Sequence, residues 1–302
     1  MVTVNHNAPE ATLAFLDSLQ RAAGPSEIRV IVVDSASTPD CLAAMRAKIA
    51  QIPHCELLES AENRGYFGGA RFGLDHFLRR GGALPAWVIV CNNDVVIQNA
   101  KFVEKLLEID PSEVGVVAPR IRSSDLTNDQ NPFMRKPPGR FRQVTWLLVH
   151  SNYASAVLWD WLSRLRLLLR SKLQKDKWVK NATSNAGKEP IYAPHGSFLI
   201  FSRRYFASGG YLDPSLFLYG EEVSVAEICR HLRLPVMYDP RLVVLHNDHS
   251  TLGPRITRFS FECQRHATHH MWNTYWSDKR DAWVWRNISA GSPAGSSPEK
   301  DC

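Results

Sequence analysis

Two amides and a carboxylate interrupt an apolar run in Trp87-Val88-Ile89-Val90-Cys91-Asn92-Asn93-Asp94-Val95-Val96-Ile97. Asp94 is a hard oxygen donor, of the kind that holds Mg2+ or Mn2+ through one or two carboxylates together with substrate phosphates. A polar strand-to-helix turn, with Asp or Asn capping the next helix, would use the same residue types. In a second stretch, Glu62-Asn63-Arg64-Gly65-Tyr66-Phe67-Gly68-Gly69-Ala70-Arg71, glycines would let backbone N–H groups approach an anion at a helix start. Its spacing matches neither the dinucleotide fingerprint nor a Walker loop, which disfavours both classes. The adjacent carboxylates Glu221 and Glu222 stand at the start of a helical stretch, where negative charge also suits the helix macrodipole. His246 follows four apolar residues, a setting in which a satisfied core histidine is more usual than a ligand.

The elements that must position these residues alternate from the first residue. Residues 2–4, 28–33, 56–59, 88–91 and 114–119 read as strands, and 12–23, 41–50, 65–80 and 101–109 carry helical spacing. Continuous apolar runs such as 88–91 are those of strands buried on both faces. The alternation argues for an α/β fold with a mostly parallel sheet flanked by helices. Asn92, Asn93 and Asp94 would then stand at the carboxyl edge of a central strand, where open α/β sheets bind ligands. After residue 190 the order resumes: a strand at 198–201, a turn at 208–213, a helix through residue 232, and short strands at 236–238 and 242–245.

An apolar fraction of 44% and a charged fraction of 22% over 302 residues fit an ordinary globular chain with a sizeable core. Cys41, Cys55, Cys91, Cys229, Cys263 and Cys302 show no CxxC spacing, which fits reduced thiols better than a disulfide framework or zinc site. With no export signal before the first strand, a cytoplasmic location is expected. The net charge of +6 is uneven: residues 120–188 hold 14 Lys and Arg against four Asp. Such a basic block suits an anionic partner, whether phosphate, lipid headgroup or nucleic acid, although a solvated insertion would look the same. Within it, residues 158–170 are amphipathic at helical period, Trp and Leu against Arg, as in interfacial membrane helices or helices packed on a domain. The longest charge-free run, 143–159, contains Thr, His, Ser, Asn and Tyr, so a membrane span is not expected.

Four segments together resemble glycosyltransferase family 2, whose members have the GT-A fold. They are Val2-Thr3-Val4-Asn5-His6-Asn7 with Val32-Val33-Asp34-Ser35-Ala36-Ser37-Thr38; Glu62-Asn63-Arg64-Gly65-Tyr66-Phe67-Gly68-Gly69; Cys91-Asn92-Asn93-Asp94-Val95; and Gly209-Gly210-Tyr211-Leu212-Asp213 through Phe217-Leu218-Tyr219-Gly220-Glu221-Glu222 to His246. Rhamnosyltransferase-like and bacterial polysaccharide-assembly members are similar in flavour. The resemblance implies one GT-A domain over residues 1–288, with a Rossmann-like nucleotide-sugar-binding half at 1–119, a basic helical insertion at 120–189 and an acceptor-side half at 190–288. Residues 289–302, mostly Gly, Ala, Ser and Pro, are expected to be disordered.

The resemblance also implies roles. Asp34 would bind the nucleotide base or ribose, with Val4 and His6 beside the base, where relatives often carry Tyr. Asn63 and Gly65 would shape the donor pocket, Arg71 would reach the base or diphosphate, and Asn93 would join the nucleotide-sugar set. Asp94 would hold Mg2+ or Mn2+, with His246 a second ligand from the far half. Glu222 would be the base of an inverting transfer, with Glu221 the alternative; relatives often read Glu-Asp there. Since Asn92 and Asn93 replace part of an Asp-x-Asp, only one carboxylate from that motif would meet the metal. The implied donor is a dTDP- or UDP-sugar, the acceptor a cell-envelope or lipid-linked glycan at the inner face of the plasma membrane. Residues 141–180 would make peripheral membrane contact, and no nucleic-acid partner is expected. A non-catalytic protein of the same fold, docking an anionic partner through the basic insertion, is the competing reading. A nucleotidyltransferase is a weaker one, because its glycine-rich signature is missing after Val4.

Overall fold

Strict alternation of side chains across each strand sends neighbouring apolar residues to opposite faces, and the core is built on that division. A computed structural model describes residues 1–23, 28–124, 129–173, 187–247 and 256–276. In β2 (Val30–Ser35), Ile31 and Val33 enter one apolar cluster, Val30 and Val32 the other. In β4 (Trp87–Asn92), Val88 and Val90 face the first, Ile89 and Cys91 the second. The sheet therefore has helices on both sides, as continuous apolar strands require.

The first half runs β1 (Val2–Asn5), α1 (Pro9–Ala23), β2, α2 (Pro39–Ile49), β3 (Cys55–Ser60), α3 (Gly65–Arg79) and β4. Prolines open α1 and α2, where a fixed φ and a missing N–H fit the first turn; α1 consequently starts three residues before the sequence-based boundary. Then come β5 (Val95–Ile97), α4 (Phe102–Leu107) and β6 (Val116–Ser123). The basic segment follows with α5 (Arg140–Val149) and α6 (Tyr153–Leu173), then β7 (Glu189–Ile191), β8 (Phe198–Ser202), α7 (Arg203–Ala207), α8 (Glu221–His231), β9 (Val236–His246) and α9 (Arg258–Met271). The described strands form one sheet of order β3-β2-β1-β4-β8-β6-β9-β5, with β7 on β9. Strands β3, β2, β1 and β4 are parallel, β8 enters antiparallel to both β4 and β6, and β6 pairs in parallel with β9.

Two sequence-based boundaries are corrected. Asn92-Asn93-Asp94 does not cap a helix: it leads into β5, which pairs antiparallel with β9. The two short strands expected at 236–238 and 242–245 are one strand, its register with β6 shifting between Pro119 and Arg120. Pro240, which has no N–H for a ladder, falls in that shift and reads as a break in sequence. The expected disordered tail, and residues 174–186 of the basic segment, lie outside the described residues.

Candidate functional site

The carboxyl ends of β1, β2 and β4 meet through Asn5, which the sheet buries completely. Asn5 Nδ2 donates to Asp34 Oδ1 at 2.8 Å, and its Oδ1 accepts from Thr12 Oγ1 at 2.9 Å and Asn93 Nδ2 at 3.3 Å. Asp34, 1% exposed, also accepts from Ser37 Oγ at 2.6 Å and the Ser37 N–H at 3.1 Å. Asp34 and Asn93 thus belong to one hydrogen-bonded rim. Val4, half-buried, and His6, exposed, lie at the same strand end, and His6 Nδ1 meets the Ser35 carbonyl at 2.7 Å. An N–H on Nδ1 satisfies that contact and fixes the tautomer.

Antiparallel pairing of β5 with β9 sets His246 opposite Val95, next to Asp94. His246 Nε2 lies 3.2 Å from Asp94 Oδ1, within ion-pair distance but without the alignment of a hydrogen bond, and that buried Oδ1 has no hydrogen-bond donor. His246 Nδ1 meets Gln130 Oε1 at 2.9 Å, which puts a proton on Nδ1, and in the neutral ring the lone pair is then on Nε2, where Asn92 Nδ2 also approaches to 3.5 Å. Two lone-pair donors therefore face one another, with the Asp94 side chain still 29% exposed. A divalent cation would satisfy both, and an amide fixing the far ring nitrogen is the usual support for a ligating histidine. Among the described residues no three His, Cys, Asp or Glu gather into a metal cluster. Two protein ligands plus phosphate oxygens and water suit Mg2+ or Mn2+, which keep several non-protein ligands.

The other half joins through the loop before β8. Asn92 N–H donates to the Ser197 carbonyl at 2.9 Å, Tyr66 Oη to the Gly196 carbonyl at 2.8 Å, and Gly196 N–H to Glu222 Oε1 at 3.2 Å. The His195 ring stands edge-on to His246, centroids 5.8 Å apart. Burial, then the neighbouring His246, push the His195 pKa down to about 4, so it is neutral. Contacts thus connect Asp34, Asn93, Asp94, His246 and Glu222 although the chain separates them by up to 212 positions. Gln130 and His195 carry no recognisable spacing, and Tyr66 stands in the glycine-rich segment with no role assigned to it; only the fold brings the three to the site.

Glu222 is half-buried at the start of α8, and burial raises its pKa. Glu221 is fully buried, and burial, then the charge of Glu222, push it up to about 8. The remaining residues are placed differently. Asn63 Oδ1 accepts from the Gly65 N–H at 3.0 Å, and Gly65, at φ +66°, packs directly on the Phe217 backbone while Tyr66 N–H donates to the Phe217 carbonyl. Gly65 therefore joins the halves of the molecule, while Asn63, exposed, shapes the turn that leads into it. Arg71 is nearly two turns into α3, 3.5 Å from Asp75.

A family model described as glycosyl transferase family 2 matches residues 1–179. No curated protein sequence matches this chain. Among solved structures, TarS 1–349 of S. aureus in complex with UDP is similar at 12% identity and a TM-score of 0.53, over 96% of this chain and 69% of that one. GalNAc-T7 with UDP, GalNAc and Mn2+ is 12% identical at a TM-score of 0.55, over 98% of this chain and 51% of that one. At such identities the likeness is one of fold.

Proposed function

This chain belongs to glycosyl transferase family 2 and has the GT-A fold, and we propose that it moves a sugar, with inversion, from a nucleoside-diphosphate sugar to a hydroxyl of a cell-envelope or lipid-linked glycan. The observation that carries this reading is the facing pair Asp94 Oδ1 and His246 Nε2, one of them an orphaned buried acceptor. Support for the donor class comes from proteins of the same fold that hold UDP, one of them with Mn2+.

Asp94 and His246 would hold Mg2+ or Mn2+, which when bound neutralises the charge growing on the leaving diphosphate. Gln130 keeps His246 in the tautomer that offers Nε2. Asp34, buried with both oxygens held by Asn5 and Ser37, would brace the strand end on which Val4 and His6 flank the base or ribose, and Asn93 would extend the rim toward the sugar. Glu222 accepts the proton of the acceptor hydroxyl as that oxygen bonds the anomeric carbon and the bond to the diphosphate breaks. Its raised pKa makes it a stronger base than an ordinary carboxylate. Glu221 is the more deeply buried of the two and is raised further by the charge of Glu222, which makes it the less accessible base.

A donor screen across UDP-, dTDP- and GDP-sugars with Mg2+ or Mn2+, scored by released nucleoside diphosphate, tests this. One donor should be turned over, and Glu222→Gln should lower kcat by about a hundredfold or more while donor binding persists. Full activity in Glu222→Gln would remove the base, and no release from any donor would remove the activity.

A further inference from the structure

Exposed apolar side chains are concentrated in one hairpin of this molecule. Among the described residues, nine of the twelve large exposed hydrophobics lie between Phe141 and Leu165, on α5 and α6. Both helices pack on α9. In α6 the body-facing residues are Tyr153, Ala156, Asp160 and Ser163. At 3.6 residues per turn the opposite stripe is Leu158, Trp161, Leu162 and Leu165, which are 56%, 58%, 44% and 39% exposed. Arg164 and Arg166 flank that stripe, both exposed, with Arg164 also bonded to Asp160. In α5, Phe141, Val144 and Leu148 make a second outward stripe, Phe141 being 87% exposed, with Arg142 lying over Trp146 and Arg140 turned inward to the Trp276 carbonyl at its start.

We infer that the α5–α6 hairpin is a docking surface for an anionic bilayer, with its apolar stripes in the headgroup boundary and its arginines on lipid phosphates. Charge complementarity selects this occupant: residues 120–188 carry 14 Lys and Arg against four Asp, while the rest of the chain is net negative. Tryptophans beside arginines fit an interface that is apolar on one side and wet on the other. No helix among the described residues is long and apolar enough to cross a membrane, so the hairpin would lie on the surface. The placement also orients the enzyme. Helix α9 receives the hairpin on one side, and on the other its His270 bonds Asp213 at 2.7 Å and its Phe259 meets Phe217, on the loop leading to Glu222. A bilayer under the hairpin would then adjoin the half read as the acceptor side.

The inference does not depend on the transfer reaction, and its test uses no sugar nucleotide. The full chain is sedimented with vesicles of phosphatidylglycerol and phosphatidylcholine, and with phosphatidylcholine alone. Wild type should partition onto the anionic vesicles and lose affinity as salt rises. The double substitution Trp161→Glu and Leu165→Glu, at exposed positions, should lower partitioning by about a hundredfold. Arg164→Ala with Arg166→Ala should lower it by about tenfold. Absence of wild-type binding, or partitioning unchanged by the glutamates, would overturn the inference. So would self-association that the glutamates abolish in a chain that binds no vesicles, since the occupant would then be a second copy.

Discussion

Glu222 can accept a proton only when it has none, and its surroundings oppose ionisation. Burial lifts its pKa above the ordinary glutamate value of 4.5. A group with a raised pKa stays protonated to higher pH, so kcat/KM should fall on acidification along a limb displaced above 4.5. A pH profile of kcat/KM for the identified donor measures this directly; a limb in the ordinary glutamate range would contradict the assignment. The same burial separates two neighbours that sequence alone leaves equivalent. Glu221 and Glu222 differ in exposure because successive residues of a helix point about 100° apart, and α8, entered through Gly220 at φ +90°, turns the first of them inward. His246 shows the converse: an apolar run before a histidine reads as core, yet Gln130, 116 positions away, leaves its Nε2 lone pair facing Asp94.

At the scale of elements, α3 begins where two halves of the chain touch. Gly65 holds a left-handed φ of +66°, and a Cβ there would overlap the Phe217 carbonyl. Its value is close approach of backbones rather than anion binding. Gly65→Ala should destabilise the protein by about 2–4 kcal/mol, from a strained φ plus the overlap, read as a lower denaturant midpoint at unchanged m-value. Unchanged stability would show that the 217 loop can yield. A second tie, further along, closes the loop before α8: Asp213 is buried, which alone would raise its pKa, but His270, Tyr275 and the Ser215 N–H hold its carboxyl low. His266 and His270 both serve this packing, on the Ser215 carbonyl and on Asp213.

Over the whole molecule, legibility followed the range of the interactions. The alternating parallel half was readable because each strand is buried on both faces and each helix shows its own period, both local properties. Strand β9 was not, because Pro240 looks like an end wherever the partner strand is unknown. Helix α7 and strand β7, at five and three residues, are too short for periodicity to mark. Within the site, Asp94 stood out as a carboxylate ending an apolar run, whereas Tyr66 and His195 became visible only when pairing brought them to Gly196 and His246. Asn5 was quoted only as part of a motif, and its place between Asp34 and Asn93 emerges from three strand ends meeting.

Asp94, in the turn between β4 and β5, and His246, at the end of β9, are 152 positions apart, and the proposed chemistry requires them to hold one divalent ion that in turn holds the donor diphosphate. Calorimetric titration of nucleoside diphosphates, with and without Mn2+, into wild type and His246→Ala measures this most directly. Binding of one nucleotide should require Mn2+ and weaken by about tenfold or more in His246→Ala. Equal binding without the metal, or in the variant, would contradict the account.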